Sequence, residues 1–276
     1  MSLILIFNTT TMKRVLVTGG TGTLGTAIVK QLIDAKLSPY ILTTKPSHLL
    51  PIEVKELQAD LTDKTGLLNA VSDTNFDTVI HCASNPKNAE DVDVKGTTNL
   101  LEVLSNTNCN HLIYISIVGV DQSSYSYYKN KLKVEREIRN SKHPWSILRI
   151  TQFHDFVLNR IIYSSKDPDT NSLRIPKDLK FQSIAVDDVA KYIVSLSPTM
   201  SVTNLGGPQI LTIEEMVQAY LEVTNKSCKV ESIDIENDFY KIFKSGINLC
   251  PFDKIGTVSW EVFLRSKLQQ CITERE

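Results

Sequence analysis

Gly19, Gly20, Gly22 and Gly25 lie close together in "KRVLVTGGTGTLGTAIVKQLIDA", the stretch that begins at Lys13. Read from Gly20 they give G-x-G-x-x-G; read from Thr18 and Gly19 they give T-G-x-x-G-x-x-G. Glycine at this spacing suits anion binding. Without a Cβ the backbone can take positive φ and approach a pyrophosphate, whose charge then meets unpaired N–H groups at a helix N-terminus. The pattern has this meaning only between a strand and a helix. Both are legible here: Val15, Leu16 and Val17 form a short β-branched run fit for a strand buried on both faces, and Leu24, Ile28 and Leu32 recur at helical spacing.

The elements that must support such a loop follow in regular alternation. "SPYILTTK", "VKELQAD", "FDTVIHCAS", "NHLIYISIVGV" and "WSILRIT" read as further strands. "GTTNLLEVLSNT" carries Leu100, Leu101 and Leu104 on one helical face, and "YYKNKLKVEREIRNS" is a charged amphipathic helix. Alternation of this kind implies right-handed crossovers and a parallel sheet covered by helices on both faces. "TQFHDFVLNRIIYSS" reads as helix, "KDPDTNSLRIPKD" as a loop, and "FQSIAVDDVAKYIVSLS" as strand, cap and helix. Thr212 stands three residues before Glu215 in "LTIEEMVQAYLEVT", a capping-box signature. From about Cys228 the chain reads as a small appended lobe. The expected organisation is one α/β domain over 12–276, with a small substrate lobe formed mainly by 201–276.

Composition narrows the functional classes. The chain has 276 residues, 42% of them hydrophobic, and a formal net charge of -1, with no basic stripe for nucleic acid. Five cysteines without paired short spacing fit a reducing cytoplasm and give no zinc pattern. His81 and Cys82 lack the companions a metal needs, so no metal is expected and His81 reads as a packed histidine. The apolar patch Leu3–Phe7 is too short for a membrane span or signal peptide. Residues 1–11 read as an N-terminal extension ahead of a start at Met12.

The motifs "VTGGTGTLG", "ADLTD", "VIHCAS", "GTTNLLEVL", "YISIVGV", "YYKNKLKVE" and "IAVDDVA" occur in an order that resembles the short-chain dehydrogenases/reductases. The likeness is strongest to the atypical branch related to NmrA-like proteins, and runs from about Lys13 to Ala190. "LGGPQILTIEEM" and "VSWEVFL" resemble the C-terminal lobe of bacterial members. The resemblance implies a Rossmann-like doubly wound parallel sheet and a dinucleotide cofactor. It makes Thr18 to Gly25, including Gly19, Gly22, Thr23 and Leu24, the pyrophosphate cradle. It sets Asp60 and Leu61 at the adenine, and Cys82, Ala83 and Ser84 under the cofactor. As plain structure, Asp60 would cap the next helix.

The dinucleotide is read from the end of the second strand. An acid there accepts from the ribose 2'-hydroxyl of NAD. Here Thr43, Thr44 and Lys45 follow one another, and a cation can pair with the 2'-phosphate of NADP. NADP(H) is therefore expected, with NAD(H) as the alternative.

The resemblance also implies the chemistry. Hydride transfer to a carbonyl requires a proton, supplied in this superfamily by the tyrosine of Tyr-x-x-x-Lys with help from a Ser or Thr after the fifth strand. Two frames fit, Tyr125 with Lys129 and Tyr127 with Lys131. Two residues turn a helix by about 200°, so only one pair can face the cofactor. Leu132 and Glu135 match the family's K-L-x-x-E in the second frame. Tyr127 is thus the expected acid, Lys131 its partner and ribose ligand, and Ser116 the orienting donor. The expected activity is NADP(H)-dependent reduction of a carbonyl or quinone-like small molecule. The rival is a cofactor-binding sensor or assembly factor with a protein partner, and a nucleotide-sugar epimerase or dehydratase is a third reading. Gln152 and His154 could touch substrate or serve as a packed helix start.

Overall fold

Residues 12–46 and 50–273 are described in a computed structural model, the side chains as far as residue 270. The extension expected over 1–11 lies outside the described residues. The chain forms the expected α/β fold: strands β1 (Val15–Thr18), β2 (Tyr40–Thr43), β3 (Lys55–Gln58), β4 (Thr78–His81), β5 (His111–Ile117), β6 (Trp145–Ile150) and, later, β9 (Val202–Leu205) build one sheet in the order β3-β2-β1-β4-β5-β6-β9. The pairs β1/β2, β2/β3, β1/β4 and β4/β5 are parallel. Growth runs from β1 toward β3 and then reverses through β4. The carboxyl ends of β1 and β4 therefore flank the switch point, where doubly wound sheets bind their ligands.

The crossovers are α1 (Thr23–Asp34), α2 (Lys64–Val71), α3 (Gly96–Leu104) and α4 (Ser126–Arg139). Leu24, Ile28 and Leu32 of α1 are buried, as their spacing requires. A π-helical stretch, Glu90–Lys95, leads into α3.

By its contacts the chain divides into two compact units. The first comprises the described residues up to Tyr114, with Arg136–Ile147 and Lys191–Ser201; its core includes Leu16, Val17, Ile41, Ile80, Leu100 and Ile113. The second comprises Ile115–Glu135, Leu148–Ala190 and the described residues from Val202. The lobe expected mainly from 201–276 thus shares its unit with two earlier stretches.

The second unit contains the short α5 (His154–Phe156), β7 (Ser172–Pro176), β8 (Lys180–Phe181), α6 (Val186–Val194), β10 (Leu211–Thr212), α7 (Ile213–Thr224), β11 (Lys229–Ile233), α8 (Asp238–Ser245) and α9 (Trp260–Thr273), apart from the end of α6. Its core gathers Tyr128, Val157, Ile161, Phe181, Met216 and Phe243 around Trp260, whose indole N–H donates to the Met216 carbonyl at 2.9 Å. Thr212 and Glu215 form the expected capping box of α7.

Three local readings are corrected. The stretch 151–165 is helical only in pieces, α5 passing into a π-helix over Val157–Ile162 and a 3-10 turn over Tyr163–Ser165. The Pro- and Asp-rich segment 166–178 contains β7, which pairs in parallel with β11; the pairing partner lies far along the chain, so no local pattern announces it. β9 was not foreseen either. Its sequence, Val202-Thr-Asn-Leu205, is half polar, and β6 supplies the partner it needs: Ile147 N–H donates to Ser201 O and Thr151 N–H to Leu205 O.

Candidate cofactor cleft and tyrosine–lysine pair

The glycine loop is shaped by contacts that leave no room for side chains. Gly19 has φ +67°, and a Cβ there would lie 2.7 Å from the Ala83 amide nitrogen. A Cβ on Gly25 would lie 2.1 Å from the Gly19 carbonyl oxygen, so that glycine lets α1 close onto the loop. Gly22 differs. A Cβ there would meet only the Gly19 oxygen at 3.3 Å, and Gly22 N-caps α1 without a side-chain hydrogen bond. The amides of Thr23, Leu24 and Gly25 form the first turn of a helix that no side chain caps, which is the electrostatic setting for an anion.

Thr18 ties this loop to β4. Its carbonyl accepts from Cys82 N–H at 3.1 Å and its Oγ1 from Ala83 N–H at 3.2 Å. The same Oγ1 lies 2.6 Å from His81 Nδ1, while His81 Nε2 is 2.8 Å from Thr97 Oγ1. Thr97 donates its own proton to the Asp93 carbonyl. A neutral imidazole thus carries its proton on Nε2 and accepts from Thr18 at Nδ1. His81 is a packed, doubly bonded histidine, as expected, and among the described residues there is no cluster able to hold a metal.

A cleft of about 580 Å³ opens over these residues, within the size range of cofactor sites. Thr18, Gly19, Gly22, Thr44, Lys45, Asp60, Leu61, Cys82, Ala83 and Ser84, all expected at the cofactor, line it together. Thr21, Leu42, Thr43, Ala59, Asn85 and Val92 complete the lining. Val92 escaped the sequence reading because it lies in the π-helical stretch before α3.

Asp60 does not cap α2; Asp63 does, accepting from Gly66 N–H at 3.1 Å. Asp60 instead accepts from the Thr62 amide and hydroxyl through one oxygen, each at 2.8 Å, and its carboxylate stays at the cleft. Ser84 donates to the buried Asp93, which also accepts from Asn85 N–H at 2.9 Å. A carboxylate does reach the end of β2, from the neighbouring strand. Glu56 of β3 sits opposite Ile41 and accepts from Thr43 Oγ1 at 2.8 Å. Only strand pairing, not linear distance from the glycines, could have revealed it.

The second unit holds the tyrosine–lysine pair. Lys131 is 4% exposed; its Nζ donates to the Ile115 carbonyl at 3.1 Å and lies 5.9 Å from the centroid of the half-buried Tyr127 ring. Lys129, of the other frame, is exposed, and Tyr125 packs edge-on against Phe239 with ring centroids 6.0 Å apart. Tyr128 is buried in the core, which drives its hydroxyl's pKa upward.

Ser116 is 2% exposed, and its hydroxyl donates to Glu135 Oε1 at 2.5 Å. Glu135 also receives Arg149 through Nε at 2.9 Å and Nη2 at 2.8 Å, while Arg149 Nη1 reaches Asp121 at 2.7 Å. The hydrogen bonds to the two carboxylates, Glu135 first, hold the guanidinium firmly protonated. Gln152 accepts from Asn248 Nδ2 at 3.1 Å. His154 has both ring nitrogens engaged, with Ser183 Oγ at 2.8 Å and the Val258 carbonyl at 3.0 Å, and burial lowers its pKa. Both belong to the packed start of α5.

Comparison with known proteins agrees with this geometry. A family profile described as NAD(P)H-binding matches residues 19–197. UDP-glucose 4-epimerase 2 of Arabidopsis thaliana is 29% identical over 215 residues, covering 63% of this chain and 60% of that protein. The decarboxylating sterol-4-alpha-carboxylate 3-dehydrogenase of Saccharomyces cerevisiae is 32% identical over 121 residues, 38% of this chain and 35% of that one. The chain thus spans three-fifths or less of the length of these curated relatives. The Bordetella bronchiseptica enzyme WbmG, solved with NAD and UDP, superposes with a TM-score of 0.75 at 15% identity, covering 96% of each chain, a likeness of fold. The chain belongs to the NAD(P)H-binding family.

Proposed function

We propose that the protein is an NADP(H)-dependent oxidoreductase that transfers hydride to a carbonyl or quinone-like small molecule. The observation that carries the reading is the burial of Lys131 beside Tyr127, with its ammonium anchored on the Ile115 carbonyl, while Lys129 of the competing frame is exposed. A buried ammonium is costly unless hydrogen bonds and nearby negative charge offset its desolvation, as the Ile115 carbonyl does in part here. Beside a phenol the ammonium favours loss of the phenolic proton.

The cleft fits a dinucleotide: its glycines admit close backbone approach, and the first turn of α1 lacks a side-chain cap. Gly19, Gly22 and the α1 amides would hold the pyrophosphate, Asp60 and Leu61 the adenine end, and Thr44 and Lys45 the 2'-phosphate. Bound there, the nicotinamide supplies the hydride. Tyr127 gives its hydroxyl proton to the substrate oxygen that has become negative, and Lys131 stabilises the phenolate left behind. Glu56, held by Thr43, bears on cofactor choice because it brings negative charge to the end of β2, where Lys45 must act against it. A cytoplasmic location accords with the four described cysteines, all of which are free thiols.

A second reading, a cofactor-binding sensor without turnover, is favoured by one observation. Ser116, the expected substrate-orienting donor, spends its proton on Glu135, and the next residues are Ile117 and Val118. NADPH consumption by the purified full chain with a panel of aldehydes, ketones and quinones separates the two. Consumption dependent on one of these compounds supports the reductase. Tight NADPH binding with no consumption supports the sensor.

A further inference from the structure

Helix α4 must sit at one rotation for Lys131, and not Lys129, to lie beside Tyr127. Its fully buried positions are Tyr128, Lys131, Val134, Glu135 and Ile138, two of the five charged, and Tyr127 and Leu132 pack partly buried against the same core. The apolar stripe is interrupted by these two buried charges, so what the charges meet also constrains the rotation. A turn of about 200° would exchange Lys131 for Lys129.

The two charged positions are one helical turn apart, and they meet two successive residues of β5. Lys131 Nζ donates to the Ile115 carbonyl, and Glu135 accepts from the Ser116 hydroxyl. Arg149 of β6 then clamps both oxygens of Glu135 and reaches Asp121 in the segment that leads into α4. Glu135 is 1% exposed. Buried ion pairs of this kind seldom add net stability over well-packed apolar side chains, and their best attested use is to fix register. Any other rotation of α4 would strand Arg149 and a carboxylate without each other.

We propose that Glu135 and Arg149, with Ser116, are positioning residues that lock the rotation of α4 and so present Lys131 to the Tyr127 site. The proposal rests on the reading of Lys131 as the partner of Tyr127, but its test does not depend on turnover. Amine reactivity of the full chain toward acetic anhydride reads the position of each lysine by peptide mass spectrometry, and Lys129 serves as the internal reference two residues away.

In the unaltered protein Lys131 should react about tenfold more slowly than Lys129, since it is buried and hydrogen-bonded. The double change Glu135→Leu with Arg149→Met removes both charges together, so the fold should survive with its melting temperature within about 5 °C. The Lys131/Lys129 labelling ratio should nevertheless rise by about fivefold or more. NADPH should bind more weakly by a similar factor. Glu135→Gln keeps the shape and the Ser116 contact but weakens the clamp, and should raise the ratio about twofold. That variant alone decides the matter if the double variant does not fold. A native melting temperature together with an unchanged labelling ratio in either folded variant overturns the proposal. A raised ratio with NADPH affinity and turnover intact leaves the positioning role standing and removes Lys131 from the reaction.

Discussion

Asp63 caps α2 by accepting from Gly66 N–H at 3.1 Å, leaving Asp60, three residues earlier, with its carboxylate at the cofactor cleft. The division of labour between the two aspartates of "ADLTD" separates a structural acid from one that can face a ligand.

Two glycines of the loop should respond in opposite ways to alanine. Gly25→Ala places a Cβ 2.1 Å from the Gly19 oxygen and should destabilise the protein by on the order of 3 kcal/mol. Gly22→Ala meets only a 3.3 Å contact and should keep the melting temperature within about 3 °C, while NADPH binding weakens about tenfold as the methyl intrudes on the pyrophosphate. Thermal melts and fluorescence titrations measure both. Equal loss of stability in the two variants would mean that Gly22 is a packing glycine.

Lys45 and Glu56 should set cofactor choice between them. Lys45→Ala is expected to weaken NADPH binding by about tenfold and NADH binding hardly at all. Glu56→Gln removes the carboxylate held by Thr43, and should tighten NADPH relative to NADH by about threefold. Paired isothermal titrations decide it: if Lys45→Ala weakens both cofactors alike, Lys45 does not read the 2'-phosphate.

Acid should weaken the fold through His111. Burial lowers its pKa to about 4, and its Nε2 lies 2.8 Å from Ser146 Oγ. The unfolded chain takes up the proton first, near 6.5. The contribution of the neutral ring to stability is therefore complete above that pH and is lost as pH falls toward 4. His154, also buried and lowered, acts in the same sense. Urea melts from pH 7 to pH 4.5 should show stability declining over this window, with a shallower slope in His111→Asn. An identical slope in the variant would assign the acid sensitivity elsewhere.

Much of this was readable in the sequence because it is local. The β1 run, the glycines, the spacing of Leu24, Ile28 and Leu32, and the Thr212/Glu215 cap all act within a few residues. What escaped depends on partners distant in the chain. β7 and β9 are strands because β11 and β6 lie beside them, and Glu56 reaches Thr43 only through the register of β2 and β3. The cleft residues followed from motif order, but the direction of the Ser116 hydroxyl did not. A serine ending a strand can face either a ligand or the core. Here the buried Glu135, itself held by Arg149, takes its proton.

Tyr127→Phe, compared with Tyr125→Phe in the same full-length background, asks whether the Tyr127 hydroxyl is the proton donor of an NADPH-dependent reductase. NADPH affinity and substrate-dependent NADPH oxidation are measured side by side. Tyr127→Phe should leave the NADPH dissociation constant within about threefold and lower turnover by about 10² or more, while Tyr125→Phe, at a ring packed on Phe239, should change turnover by less than about threefold. Full turnover in Tyr127→Phe, or its loss only in Tyr125→Phe, would contradict that role.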